Sequence, residues 1–328
     1  MNWKRIIFII LALLILIPAG LYFGSLDWSK KHETRVDALP LFSEKATTGE
    51  YRLRVNGYEY LIRVAGMKNT GENVILLHGF PESSIMWDAL STRAAQDGYR
   101  ILAFDQRGYS PKARPTDIQD YHLDKLSADV FAVADAVGFE KFHLVGHDWG
   151  AAIGWKAVMD NPQRIQTWTA LSIPHTGVFF EGVINDTTQA KRSGYFQLFQ
   201  KAYLPEFLLT FAGQRNMNKL IAKLPQKQQE EYFSILAEPG ALTAALNWYR
   251  AMDVKGFAKN RTFMKDITRP TLFIWGTKDV VVSESVIAKQ KPFIKAPYQE
   301  IKLEAGHALI QEKEKEVIEA ILKQWKVR

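Results

Sequence analysis

The residues best suited to chemistry sit in Gly146-His147-Asp148-Trp149-Gly150. An apolar run, Phe142 to Val145, precedes them and reads as a short buried strand. Ala151, Ala152, Trp155, Val158 and Met159 follow at helical spacing, up to Asn161-Pro162. Small residues around a central polar side chain, across a strand-to-helix turn, form a nucleophile elbow. The glycines permit a tight, strained turn that lifts the central side chain above the sheet edge. Serine is the usual occupant; here it is Asp148. A carboxylate at that point does not form an acyl-enzyme on its own oxygen as serine does. It can attack an sp³ carbon and leave an alkyl ester. The alternative is that Asp148 caps the following helix, as aspartate often does.

Two more chemically useful side chains follow predicted strands. Asp279 comes after Thr271 to Trp275, in Gly276-Thr277-Lys278-Asp279, and His307 comes after Gln299 to Leu303, beside Gly306. Alone, Asp279 also reads as a turn residue and His307 as a cap. With Asp148 they give the order nucleophile, acid, histidine, which is that of the α/β-hydrolase triad. His32, His78, His122, His143, His147 and His175 read as structural or exposed, His147 merely flanking Asp148.

The elements that must position these residues alternate regularly. Tyr51 to Val55 and Tyr58 to Val64 have period two and are joined by Asn56-Gly57, a strong hairpin signal. Asn73 to Leu77 reads as a buried strand leading into His78-Gly79-Phe80-Pro81, then a helix from about Ser84 to Gln96 and a strand at Ile101 to Phe104. A helix over Leu123 to Val137, the elbow, and a strand near Thr167 to Ser172 continue the pattern. Such alternation after an opening hairpin predicts a mostly parallel sheet covered on both faces. From about His175 to Arg261 only amphipathic helical stretches occur, which places a helical cap over the carboxyl ends of the strands. The last helix carries Val317, Ile318, Ile321, Leu322 and Trp325 on one face.

The 328 residues suffice for one large α/β domain with an insertion, and 47% apolar with 23% charged residues is ordinary for a globular chain. The net charge of +7 is scattered, which reads as a solvated basic surface and not a nucleic-acid footprint. Absence of cysteine excludes disulfides and a thiolate nucleophile. Ile6 to Leu26 is a run of 21 uncharged residues after Lys4-Arg5. At helical rise it spans roughly 30 Å, enough for a bilayer core. It is expected to be a transmembrane signal-anchor giving single-pass membrane localisation, with a cleaved signal peptide, and hence a secreted or periplasmic chain, as the alternative. The expected organisation is an anchor over 1–26, a polar tether over 27–48, an α/β core over 49–174, the cap over 175–265 and the rest of the core over 266–328.

These residues, with His78-Gly79-Phe80-Pro81, make residues 48 to 326 resemble the epoxide hydrolases of the α/β-hydrolase fold. The resemblance implies a mostly parallel eight-stranded sheet with helices on both faces and an inserted helical cap. It also implies an oxyanion hole made by the backbone amides of Phe80 and Trp149, each such donor being worth roughly 10²–10³ in rate. In that family two cap tyrosines serve the epoxide oxygen. Tyr195 matches one through Tyr-x-x-x-Phe-Gln (195–200), and Tyr249 the other through Asn247-Trp248-Tyr249-Arg250. Phe80, Trp149, Tyr195 and Tyr249 are thereby the expected substrate-binding residues. The implied mechanism is attack by Asp148 on a ring carbon while the tyrosines bind and protonate the oxygen, then hydrolysis of the ester by water that His307, supported by Asp279, activates. No metal or organic cofactor is needed.

Dehalogenases share the fold and the aspartate nucleophile but need halide-binding donors. Haloalkane dehalogenases commonly have His-Gly-Asn-Pro where this chain has Phe80, and haloacetate dehalogenases favour Arg where it has Trp149. A non-catalytic, membrane-anchored binding protein is the alternative from another class. The expected partner is a small epoxide, lipophilic because Phe199, Phe207, Leu208, Leu209 and Phe211 stand ready to line a tunnel, though packing of the cap is their plainer role.

Overall fold

The computed structural model describes Trp3, Ile6, His32 and residues 34–261 and 263–326, with the side chains of 211–215, 218 and 258–260 outside the description. Asn56 and Gly57, with φ of 50° and 81°, link β1 (Gly49–Val55) to β2 (Tyr58–Ala65), the positive φ values a two-residue hairpin turn requires. Next come β3 (Asn73–Leu77), a 3₁₀ turn (Ser84–Trp87), α1 (Asp88–Gln96), β4 (Arg100–Phe104), α2 (Leu123–Ala136), β5 (Phe142–His147), α3 (Trp149–Asp160) and β6 (Ile165–Leu171). A helical insertion follows: α4 (Thr176–Asn185), α5 (Thr187–Arg192), α6 (Tyr195–Phe199), α7 (Leu204–Ile221), α8 (Gln226–Leu236), α9 (Ala241–Arg250) and α10 (Val254–Asn260). Then β7 (Thr271–Gly276), α11 (Glu284–Ile287), β8 (Tyr298–Leu303), α12 (Leu309–Glu312) and α13 (Glu314–Lys326) complete the order.

The strands form one eight-stranded sheet in the order β1-β2-β4-β3-β5-β6-β7-β8. β2 is antiparallel to β1 and β4, and all other pairs are parallel. Central strands are buried on both faces, so their side chains alternate between two cores. Ile75 and Leu77 pack with Val130 of α2 and Ile153 of α3, whereas Val74 and Leu76 pack with Leu90 of α1 and Ile321 of α13. β3 sits between β4 and β5, so the sheet order reverses there. Ligands of open α/β sheets bind at such a switch, outside the carboxyl ends of the strands.

The expected single-pass membrane localisation is corrected: among the described residues no helix is long and apolar enough to cross a membrane. The longest described helix, α7, carries Glu206, Arg215 and Lys219 in its sequence. Each such charge costs about 2.5–3.5 kcal/mol at a bilayer centre. The run from Ile6 to Leu26, on which that expectation rested, lies beyond Ile6 outside the described residues. Residues around 34–48, expected as a tether, lie on the body. His32, Val36 and Ala46 are buried, and Leu41 bridges Arg52 of β1. His32 pairs with Glu238 and Arg35 with Glu231, joining this segment to α8 and the residues just beyond it.

Candidate active site

The turn between β5 and α3 is tight for reasons local to its sequence. A Cβ on Gly146 would lie 2.3 Å from the Gly150 carbonyl oxygen, and one on Gly150 would lie 2.2 Å from that of Leu77. Only glycine fits either position. Asp148 between them adopts φ 52°, ψ −119°, and its side chain caps nothing in α3. The strained backbone instead aims the carboxylate across the end of β3. There Gly79 leaves it room, since a Cβ on Gly79 would fall 2.5 Å from Asp148 Oδ1.

The carboxylate is held from two sides. The Phe80 N–H donates to Oδ1 at 2.9 Å, and His307 Nε2 lies 3.3 Å from Oδ2. Among the described hydrogen bonds, only Phe80 of the two expected amides reaches the carboxylate. His307 Nδ1 lies 2.7 Å from Asp279 Oδ2, while Asp279 Oδ1 accepts from the Val281 N–H at 2.6 Å. Asp148, Asp279 and His307, far apart in the chain, therefore converge at the carboxyl ends of β5, β7 and β8. Burial opposes charge on Asp148, but the hydrogen bond and charge of His307 outweigh it and keep the carboxyl below its ordinary range. Burial likewise opposes charge on His307. The Asp279 charge and the Asp148 hydrogen bond reverse this, holding the imidazole well above its ordinary value.

The structure gives His147 more than the flanking place expected of it. Its Nε2–H donates to the His307 carbonyl at 2.8 Å, and its Nδ1–H to Glu82 Oε2 at 2.8 Å. Ser172 Oγ also donates to that carbonyl, at 2.9 Å, and Gln311 Nε2 holds Glu82 Oε1 at 2.8 Å. The loop bearing His307 is thus tied to β5, β6 and the segment after β3. From the insertion, Arg192 of α5 donates to the Asp279 carbonyl at 2.6 Å, and Gln189 to that of Val281 at 2.8 Å. Sequence reasoning missed Glu82, His147, Gln189 and Arg192. The one signal was the polar His147 inside an otherwise apolar strand end.

Tyr195 begins α6 and Tyr249 lies near the end of α9. Their ring centroids are 6.0 Å apart, and the Tyr249 ring meets Trp149 at 4.9 Å and Phe80 at 5.5 Å. Burial, then the charge of Asp148, pushes the Tyr195 hydroxyl well above its ordinary value. Burial, Tyr195 and Asp148 do the same for Tyr249. Both stay phenols able to donate. The neighbouring residues of each motif fix the tyrosines: Gln200 donates to the Tyr249 carbonyl at 3.1 Å, and Trp248 Nε1 to the Arg107 carbonyl at 2.8 Å. A narrow cavity of about 20 Å³ beside Asp148 is lined by Tyr195, Ile173, Phe179, Phe180, Phe196 and Met252, among others. Of the residues expected to line a tunnel, Phe199 and Leu209 are buried in the core and Phe207 and Leu208 are exposed. The Phe211 side chain lies outside the description. The arrangement offers an ionised carboxylate, a histidine–aspartate pair and two protonated phenol hydroxyls around one apolar space. It suits nucleophilic displacement at carbon with proton donation to the leaving oxygen.

Comparison with known proteins gives consistent matches. The protein family described as the alpha/beta hydrolase fold matches residues 72–314. Mouse epoxide hydrolase 4 is 27% identical over 282 residues, 83% of this chain and 77% of its own. Epoxide hydrolase A of Mycobacterium tuberculosis is 33% identical over 289 residues, 76% of this chain and 88% of its own. The crystal structure of epoxide hydrolase A from Mycobacterium thermoresistibile superposes with a TM-score of 0.74 at 26% identity, covering 86% of this chain and 99% of that one. Bacillus megaterium epoxide hydrolase in complex with an inhibitor gives 0.76 at 25% identity, over 84% and 99%.

Proposed function

We propose, on the premise that this chain belongs to the α/β-hydrolase fold family and is one of its epoxide hydrolases, that Asp148 opens the ring and His307 drives hydrolysis of the ester so formed. The overall reaction converts an epoxide and water to a vicinal diol. In the first step an Asp148 oxygen attacks a ring carbon and the carbon–oxygen bond breaks. The ring oxygen keeps the electron pair and takes a proton from Tyr195 or Tyr249. The tyrosinate left behind regains a proton from the His307 imidazolium. That transfer becomes favourable because the ester carries no charge, so His307 has lost one of the two carboxylates that held its proton. Neutral His307 then takes a proton from water, which attacks the ester carbonyl. The amides of Phe80 and Trp149 stabilise the tetrahedral oxyanion, and its collapse, with the His307 proton going to the leaving oxygen, releases the diol.

The observation that carries this reading is the placing of His307, 3.3 Å from Asp148 and 2.7 Å from Asp279, with Phe80 N–H already on the carboxylate at 2.9 Å. The cavity of about 20 Å³ beside Asp148 has room for roughly one water. Its walls of Phe179, Phe180, Phe196 and Met252 favour a lipophilic epoxide. The helices between β6 and β7 serve as the cap that brings both tyrosines over the strand ends. The test is turnover of two panels, epoxides and haloalkanes, by the full chain and by Asp148→Asn. Diol from long-chain epoxides faster than from small polar ones, no halide, and no product from Asp148→Asn is the expected result. Halide release without diol would make the chain a dehalogenase, and no product from either panel would make it a binding protein.

A further inference from the structure

A cleft unconnected with Asp148 lies at the other end of the sheet. Arg100 opens β4 and Gly138 precedes β5, so both sit at the strand ends opposite those that carry the candidate active site. The cleft measures about 580 Å³, within the roughly 300–1,000 Å³ of small-molecule sites. Its apolar lining comes from the segment before β1, through Leu41 and Phe42, and from Leu53, Met67 and Val137. Leu53 is buried, Phe42, Met67 and Val137 are half-buried, and Leu41 is exposed. The apolar part of this lining lies beside charged residues that are mostly basic.

Arg52, Arg54 and Arg100 line the cleft against a single acid, Glu44. Arg52 and Arg54 both donate to Glu59, which Lys112 also approaches at 3.5 Å. One carboxylate thus serves three cations. Arg100 is different: among the described residues no carboxylate pairs with it, and its buried Nε has no hydrogen-bond partner. Its guanidinium lies 5.3 Å from the centre of the Phe139 ring, which holds the group in place without satisfying its donors. The Nε is closed to a ligand, but the two Nη groups have no partner among the described residues, and that end of the guanidinium beside apolar walls matches a carboxylate bidentately and its hydrocarbon tail by burial.

We propose that this cleft is a second ligand site, for a single-chain amphiphilic carboxylate, with Arg100 on the head group and Phe42, Leu53, Met67 and Val137 along the tail. It is independent of the chemistry at Asp148.

The test uses dodecanoate as probe, with dodecanol and acetate as probes lacking the charge or the tail, titrated calorimetrically into the full chain. Arg100→Gln removes the fork, Val137→Trp fills the trough while keeping the charge, and Arg100→Lys restores a cation. A binding event for dodecanoate that either variant weakens about tenfold or more is the expected result. Arg100→Lys should recover part of it, dodecanol and acetate should bind more weakly, and epoxide turnover should stay at the parent level in every variant. No dodecanoate binding to the parent chain, or binding that neither Arg100→Gln nor Val137→Trp weakens, would overturn the proposal.

Discussion

At the scale of single residues, His307 lies between two carboxylates, and in the proposed mechanism esterification of one of them turns it from a proton holder into a base. Asp279 is the largest of the groups that raise the His307 pKa. Because hydrolysis needs the neutral imidazole, the rate of ester decay should climb with pH through the His307 pKa and then level off. Asp279→Asn removes a raising charge, so the climb should shift to lower pH. The plateau should also fall by about 10²–10⁴, because the imidazole loses its orienting partner. Single-turnover decay of the ester across a pH series reads both effects. In the proposed mechanism the tyrosines protonate the ring oxygen, and the tyrosinate then takes the His307 proton. Tyr195→Phe and Tyr249→Phe should each lower the rate of ester formation, by about 10² where the other hydroxyl still serves, and the double variant should lose up to about 10⁴. At a pH above the His307 pKa, where the imidazole is neutral without their help, neither should change the decay of preformed ester, and rapid-quench mass analysis separates the two steps. The residues of these predictions were legible in the sequence because each sits in a local pattern: small residues around Asp148, a strand before Asp279 and before His307, and two motifs in the insertion. Glu82 and His147 were not, since their pairing joins positions 65 apart and exists only once β3 and β5 lie side by side.

At the scale of elements, the loop after β4 connects the sheet to the insertion through Arg107. Its guanidinium binds Asp129 of α2 at 2.6 and 2.8 Å and donates to the Asp120 carbonyl at 2.7 Å, while its own carbonyl accepts from Trp248 of α9. Both partners of the ion pair are buried. Asp129→Ala leaves the arginine unpaired and should cost about 3–5 kcal/mol, seen as a lower denaturant midpoint, whereas replacing both by apolar residues of similar volume should cost far less. The strands were legible almost to the residue, because period two, apolar runs and Asn56-Gly57 are properties of the chain alone. The sequence signal was weaker where long-range contact decides. The helix expected from Ser84 begins as a 3₁₀ turn whose Ser84 is held by Asp105, through its N–H at 2.9 Å and its hydroxyl at 2.5 Å. The segment around 34–48 reads as polar, yet it is fixed by partners on β1 and α8 that no local pattern reveals.

At the scale of the whole molecule, the sheet carries Asp148, Asp279 and His307, the proposed nucleophile and its base, and the insertion carries Tyr195 and Tyr249. The halves are held together by charge as well as by apolar contact. Glu231 of α8 binds Arg35 and Arg63, each at 2.7 Å, and Glu238 pairs with His32 and Arg114. In the proposed mechanism ring opening therefore needs both halves in register, while ester hydrolysis uses side chains at the sheet end, with Arg192 and Gln189 of the insertion bracing the Asp279 loop. A chain that forms the ester but cannot clear it isolates the first process. The decisive measurement is the intact mass of full-chain His307→Gln after exposure to an epoxide it otherwise turns over. Attack by Asp148 is spared and hydrolysis is blocked, so the account predicts a mass gain equal to one whole epoxide, mapped to the peptide bearing Asp148 and absent when Asp148→Asn is added. Diol formed by His307→Gln at the parent rate with no adduct on Asp148 would contradict it, because water would then open the ring without any ester on the chain.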